Sequence, residues 1–222
     1  MYWLFQDRKQ AGEALAAHLV GLGWARRPPG RIFGLVRGGV AVAEPVARRL
    51  SVRLEPLVVR KIGAPENEEF GVGALAEDGV PIFSHETMKA LHLKPEDLLE
   101  TSDQKRREAE EKILKYRGGR LDWSRIPRSV LVIDDGLATG ITAEAAARYL
   151  RRMGVPEIAL AIPVAAADSA EALERPGVLY DQVIALERID DLGAVGSWYE
   201  DFSAVEDEEV VALLQRKKAG AA

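Results

Sequence analysis

Residues 129–142, SVLVIDDGLATGIT, constrain the fold more than any other stretch of this chain. Residues 130–133 form a short apolar run, rich in β-branched side chains and bounded by breakers, which is the pattern of a strand buried in an open α/β sheet. Asp134 and Asp135 stand where that strand should end. Gly136, Thr139 and Gly140 then turn the chain into an Ala-rich helix. Backbone N–H groups and hydroxyls gather at such a helix N-terminus, a common way to hold a phosphate. Carboxylates cannot hold phosphate directly. Acid first and a phosphate cradle next therefore suit a ligand that carries both sugar hydroxyls, or a magnesium ion, and a phosphate ester.

This string resembles the phosphoribosyl pyrophosphate (PRPP) signature of the type I phosphoribosyltransferases: apolar strand, two acids, short turn, Thr-Gly, then Thr. The resemblance implies that Asp134 and Asp135 hold the ribose hydroxyls and meet magnesium indirectly, through PRPP. It also implies that the turn, Gly136 with Ala138, Thr139, Gly140, Ile141 and Thr142, binds the 5′-phosphate. Purine-salvage members carry a further Asp at the position of Ala138, where it contacts the purine N7. Its absence argues against hypoxanthine or guanine as the acceptor base. An acidic pair before Gly can also be a plain solvated loop, but that leaves the rest of the ordered string unexplained.

The chain has 222 residues, enough to bury a substantial core, and 47% of them are hydrophobic, as in ordinary soluble proteins. Net charge is −5 with both signs interspersed, which gives no support to a nucleic-acid binder. With no cysteine, thiolate metal sites, disulfides and Cys nucleophiles are excluded. His18, His85 and His92 show no metal-ligand spacing, and His18 sits on or beside an apolar helical stripe as a structural histidine would. The first ten residues lack the pattern of a secretory signal, and no apolar run approaches a membrane span. A cytoplasmic protein without membrane or nucleic-acid partners is expected.

The periodicity predicts a first amphipathic helix over 7–22, a strand over 31–36 and a helix over 40–50, with Pro45 tolerable only near its first turn. Arg37, Gly38 and Gly39 make a second strand-to-helix turn, where glycines allow close backbone approach and the Arg supplies charge for an anion. The resemblance extends here, since family members bind pyrophosphate on a loop after the first sheet strand; on its own Arg-Gly-Gly is a weak signal and more often a plain turn. A strand over 54–60 should end at Arg60-Lys61, a pair similar to one in orotate and xanthine phosphoribosyltransferases. Lys61, further past the strand end, is the chosen pyrophosphate ligand.

An insertion over 62–128 follows. Strands over 72–76 and 80–83 flank the turn dipeptide Asp78-Gly79 and predict a hairpin. A long charged helix should begin at Pro95, run to about Tyr116 and stop at Gly118-Gly119, supported by Glu108/Lys112 and Glu111/Lys115 pairs. So polar a helix is expected to be solvated or packed on a partner subunit, which suggests a homodimer. The resemblance implies a mobile covering loop, for which residues 63–73 are the candidate. Beyond the central motif come a helix over 143–153, a strand over 157–164, a short helix over 169–174 and a strand over 178–186.

Alternating strands and helices predict one α/β domain over 1–222, with an open, mainly parallel sheet flanked by helices. This is the type I phosphoribosyltransferase fold, with its core at about 31–186, a hairpin-plus-long-helix insertion and a small C-terminal hood over 187–222. Ligands of such sheets lie beyond the strand carboxyl ends, where Arg37, Lys61, Asp134 and Asp135 are all predicted to fall. Trp198, Tyr199 and Phe202 cluster in the tail. Family hoods often stack an aromatic ring on the acceptor base, so Trp198 and Tyr199 are candidate base contacts; they could equally anchor the tail. A terminal amphipathic helix is expected over 206–217.

The resemblance implies magnesium-dependent displacement of pyrophosphate from PRPP by a nitrogenous base, with Asp134, Asp135, Arg37 and Lys61 as the catalytic set. No general base is identifiable. A non-catalytic PRPP or nucleotide sensor on the same fold is the alternative. Neither G-x-G-x-x-G nor G-x-x-x-x-G-K-[ST] occurs at a strand-to-helix turn, which disfavours a generic nucleotide binder.

Overall fold

Phe33 pairs with Val132 and Gly34 with Ile133, so the chain leaving Leu35 emerges beside the chain leaving Ile133. That register belongs to a computed structural model describing residues 3–65, 67–175 and 179–215. In chain order the strands are β1 (Arg31–Leu35), β2 (Leu54–Leu57), β3 (Arg60–Ala64), β4 (Asn67–Leu75), β5 (Pro81–Phe83), β6 (Ser129–Ile133), β7 (Glu157–Ala166) and β8 (Gln182–Ile189). The helices are α1 (Arg8–Gly21), α2 (Gly38–Leu50), α3 (His85–Ala90), α4 (Leu99–Arg117), α5 (Ile141–Arg152), α6 (Ala167–Glu174) and α7 (Asp207–Gln215).

Five strands form the central sheet in the order β2-β1-β6-β7-β8, and every neighbouring pair is parallel. Both faces are covered, which is why β6 reads as an unbroken apolar run. Leu131 and Ile133 turn to the face where Leu15 and Leu19 of α1 and Val42 and Val46 of α2 pack. Val130 and Val132 turn to the other, against Ala143, Ala146 and Leu150 of α5. This is the fold class expected from the alternation of elements.

Several boundaries differ from expectation. Helix α2 starts at Gly38, so Pro45 lies well beyond the first turn and removes an intrahelical hydrogen bond from the interior. Strand β2 ends at Leu57 rather than at Arg60. The reason is Glu77, whose side chain is almost fully buried: its Oε1 accepts from Val58 N at 3.0 Å and its Oε2 accepts from Arg117 Nη2 at 2.5 Å. These bonds draw the chain out of the parallel sheet, and Arg60 opens β3 in a second sheet of order β3-β4-β5. Strand β7 continues to Ala166 and β8 to Ile189, past their expected ends. Val178, the expected start of the last strand, lies outside the described residues, as does Lys217 at the expected end of the last helix.

The second sheet is antiparallel, with the expected turn at Asp78-Gly79 between β4 and β5. Residues 63–73, the candidate covering loop, fall mainly within β3 and β4. A 3-10 turn over Pro95–Leu98 leads into α4, which closes at Gly118 in the left-handed region (φ 74°). Contrary to expectation, α4 has an internal partner. Ala109, Ile113 and Tyr116 are buried with Ile62, Leu75 and Val210 of the second sheet and α7. The expected i,i+4 pairs give way to longer-range ones: Glu108 takes Arg60, and Lys112 and Lys115 both donate to Asp207 at the start of α7.

Candidate active site

Asp134 and Asp135 sit at the carboxyl end of β6, and the turn from β1 to α2 is pressed against them. A β-carbon on Gly39 would lie 2.5 Å from Ile133 O and 2.9 Å from Asp134 Cα, and one on Gly38 would lie 1.9 Å from Asp135 Oδ2. At Gly39 the neighbours are backbone, so only a residue without a side chain fits; at Gly38 the neighbour is the Asp135 carboxylate, which a side chain would displace. The Val36–Arg37 peptide at the head of this turn is cis. The two strand-to-helix turns read separately from the sequence are thus one constellation.

The acids have different surroundings. Asp135 N donates to Asp134 Oδ1 at 2.9 Å. Burial, followed by the neighbouring charge of Asp135, pushes the Asp134 carboxyl well above the usual carboxylate range. Asp134 keeps some accessible surface as a residue, but its carboxyl is desolvated. Asp135 has a cation instead: Arg8 Nε donates to its Oδ2 at 2.7 Å. Tyr199 OH donates to the Asp135 carbonyl at 2.6 Å, and burial together with the two carboxylates raises the phenol.

The turn after the acids rests on the long end of β7. Leu137 N donates to Val164 O at 2.9 Å and Ala166 N to Leu137 O at 2.7 Å, while Ser169 Oγ donates to Ala138 O at 2.5 Å. Gly140 adopts φ 74° and starts α5, aiming the first-turn N–H groups of Ile141, Thr142 and Ala143 beyond the sheet. Thr139 is exposed and Thr142 partly so. An anion there would meet amides, hydroxyls and the positive end of the helix dipole.

The remaining predicted residues are placed less uniformly. Arg37 is exposed, with Nη1 3.5 Å from Glu206 Oε2 and 4.0 Å from Asp207 Oδ1. Lys61 does not follow a parallel strand; it lies within β3, paired with Ala74, its side chain crossing Gly71. It stands outside the contacts that join Gly38, Gly39, Asp134 and Asp135. Tyr199 is buried, its ring 5.4 Å from Phe5 and 5.0 Å from Phe202, so it anchors the tail. Trp198 Nε1 donates to Leu192 O at 2.9 Å. The tail nevertheless reaches the site, because a β-carbon on Gly136 would meet Val195 at 2.3 Å. A hollow of about 1060 Å³, lined in part by Arg53, Glu55, Leu114 and Leu214, shares no residue with this constellation.

The phosphoribosyl transferase domain family matches residues 5–187, from the segment before α1 through most of β8. The chain belongs to the phosphoribosyltransferase family. It is 36% identical over 216 residues to provisionally named phosphoribosyl transferases from two Mycobacterium tuberculosis strains, CDC 1551 and H37Rv. Those matches cover 96% of this chain but 47% of the relatives, so the chain spans about half the length of the curated relatives it matches. The crystal structure of TT1426 from Thermus thermophilus superposes with a TM-score of 0.74 at 36% identity, covering 96% of this chain and 98% of that one.

Arg8, Val195 and Ser169 carry no signal in the sequence that would mark them for this site. Arg8 and Asp135 are 127 positions apart, and no local pattern marks their pairing. Among the described residues no group of three or more His, Asp or Glu side chains could hold a metal ion, and no helix is long and apolar enough to cross a membrane.

Proposed function

We propose that this chain transfers the phosphoribosyl group of PRPP to a nitrogenous base, releasing pyrophosphate. The observation that carries this reading is the packing of the Gly38-Gly39 turn onto Asp134 and Asp135. It sets a close-approach loop with Arg37, two acids and the α5 N-terminus around one strand end, as a ligand with pyrophosphate, sugar hydroxyls and a phosphate ester requires.

In this reading Asp134 and Asp135 accept hydrogen bonds from the ribose hydroxyls. The amides and hydroxyls of Thr139, Gly140, Ile141 and Thr142 hold the 5′-phosphate. Arg37 and the Gly38-Gly39 backbone hold the pyrophosphate, and Lys61 joins them only by leaving its place across Gly71 in the second sheet. The nitrogen lone pair of the base forms the new bond to C1, the C1–O electron pair leaves with pyrophosphate, and the nitrogen's proton passes to solvent. Positive charge grows on the ribose ring as it reacts, and the acids favour it, so catalysis rests on positioning and electrostatics.

Two carboxylates beside an anion-binding turn suit a magnesium ion that arrives with its phosphates, since magnesium keeps several waters and binds through one or two carboxylates plus substrate oxygens. When bound, it would offset charge on the leaving group. Burial of Tyr199 in its aromatic cluster supports Trp198, Val195 and neighbouring tail residues as the acceptor-side wall, with Tyr199 behind them.

A pyrophosphate-release assay on PRPP with magnesium, screened over nucleobases, tests the reading. Release dependent on one base class and abolished in Asp134→Asn/Asp135→Asn is expected. Saturable PRPP binding without release on any base would favour the sensing alternative.

A further inference from the structure

The segment before α1 pairs with the segment before α7 beside the acidic pair. Leu4 N and Phe5 N donate to Trp198 O at 3.0 and 3.2 Å, Glu200 N donates to Phe5 O at 2.9 Å, and Asp201 N donates to Gln6 O at 2.8 Å. Arg8 follows directly, with its side chain only 12% exposed. Its Nε donates to Asp135 Oδ2 at 2.7 Å, its Nη1 donates to Ser203 O at 2.7 Å, and its guanidinium carbon lies 3.7 Å from the centre of the Phe202 ring.

Attachment of α1 does not depend on these contacts. Leu15 and Leu19 are fully buried against α2 and the sheet, and this apolar burial holds the helix in place. The guanidinium is therefore spent on Asp135. The acid is gripped from several sides, by Arg8 on one carboxylate oxygen, Tyr199 on its carbonyl and Gly38 against its carboxylate.

We propose that Arg8 is a positioning residue for ribose recognition: by occupying Oδ2 of Asp135 it fixes the carboxylate plane and leaves Oδ1 to accept from a ribose hydroxyl. This inference rests on the phosphoribosyltransferase reading above. A charge-assisted hydrogen bond is shorter and stronger than a neutral one, and a planar guanidinium held by three partners has little freedom to swing. Without it, two adjacent carboxylates repel each other and Asp135 is free to rotate. Recognition groups held only loosely lose the geometry their ligand needs.

Calorimetric titration of wild type, Arg8→Gln and Arg8→Lys with three probes tests this: magnesium PRPP, ribose 5-phosphate, and magnesium pyrophosphate, which has no ribose. By analogy with residues that orient metal ligands, Arg8→Gln should weaken PRPP and ribose 5-phosphate binding by about 10–100-fold. Pyrophosphate binding should fall far less than either, the small loss coming from the place of Arg8 Nε beside the Gly38 turn, and Arg8→Lys should lose less than Arg8→Gln. In Asp135→Asn, adding Arg8→Gln should cost nothing further, because the two residues act as a unit. Circular dichroism checks folding; if Arg8→Gln unfolds, the same selective loss in Arg8→Lys decides. Equal weakening of all three probes would mean a merely structural role and would overturn the proposal. Unchanged PRPP affinity in Arg8→Gln would also overturn it, leaving the transferase reading intact. Failure of wild type to bind any probe would sink both together.

Discussion

A β-carbon on Gly38 would lie 1.9 Å from Oδ2 of Asp135. These residues belong to different strand-to-helix turns, almost a hundred positions apart, and their contact makes two weak motifs into one site. It also means that the site cannot be altered at the glycines without moving the acids.

Gly38→Ala and Gly39→Ala should part in their effects. The Gly38 collision is with a side-chain carboxylate, which can swing away, and Ala at a helix start recovers some helix propensity. PRPP binding should fall with little change in stability. The Gly39 collision is with the Ile133 carbonyl, which cannot move without the sheet, so overpacking should cost about 1–3 kcal/mol. Urea unfolding of both variants checks this, and a larger loss in Gly38→Ala would contradict it.

Asp134 should destabilise the free protein when ionised. Burial and the charge of Asp135 raise its carboxyl well above the usual range. Between the unfolded value of about 3.9 and the raised native value, the native chain holds a proton that the unfolded chain has lost. Stability therefore falls as pH rises through that window. Asp134→Asn should be more stable than wild type above the window and lose its advantage as pH falls. Denaturant melts across about pH 5–8 measure the difference; a variant less stable at every pH would contradict it.

Asp207 has the opposite sign. Burial alone would raise its carboxyl, but hydrogen bonds from Lys112, Lys115 and Tyr116 outweigh burial and hold it well below the ordinary range. Its contribution is present above about pH 3.9 and is lost as pH falls toward the lowered native value. Asp207→Ala should cost about 1.5–3 kcal/mol near neutrality, the scale of hydrogen bonds to a charged group, and less in acid. Paired melts of wild type and variant would show the gap closing; a constant gap would argue against the ion cluster.

Glu77 holds the switch between sheets. Its side chain is 1% exposed and pairs with Arg117, so Glu77→Ala strands a buried cation and should cost about 3–5 kcal/mol. Replacing both partners with Leu and Met should recover only part of the loss, because Val58 N and Pro56 O then lack their side-chain partners; full recovery would contradict the role given to Glu77. Thermal melts of the single and double variants separate the pair's geometry from its charge.

The parallel strands are legible in the sequence because each contains a short apolar run, and the acidic pair is legible because it closes such a run. The switch after Leu57 is not: Val58 and Val59 continue the apolar pattern, and only the distant Glu77 bends the chain away. Lys61 consequently reads as the end of a parallel strand when it belongs to the second sheet. The polar composition of α4 hides a buried face of only a few residues, Ala109, Ile113 and Tyr116 among them. Arg8, likewise, is one of many surface-type cations in the sequence and acquires a role only when residues 4–6 pair with residues 198–201 beside the site.

Titration of magnesium PRPP into wild type and into Asp134→Asn/Asp135→Asn tests the central claim most directly. Saturable binding to wild type, lost in a double variant that keeps its circular dichroism spectrum, is the predicted result. No saturable binding to wild type, or equal binding to the double variant, would contradict the assignment of this strand end as the PRPP site.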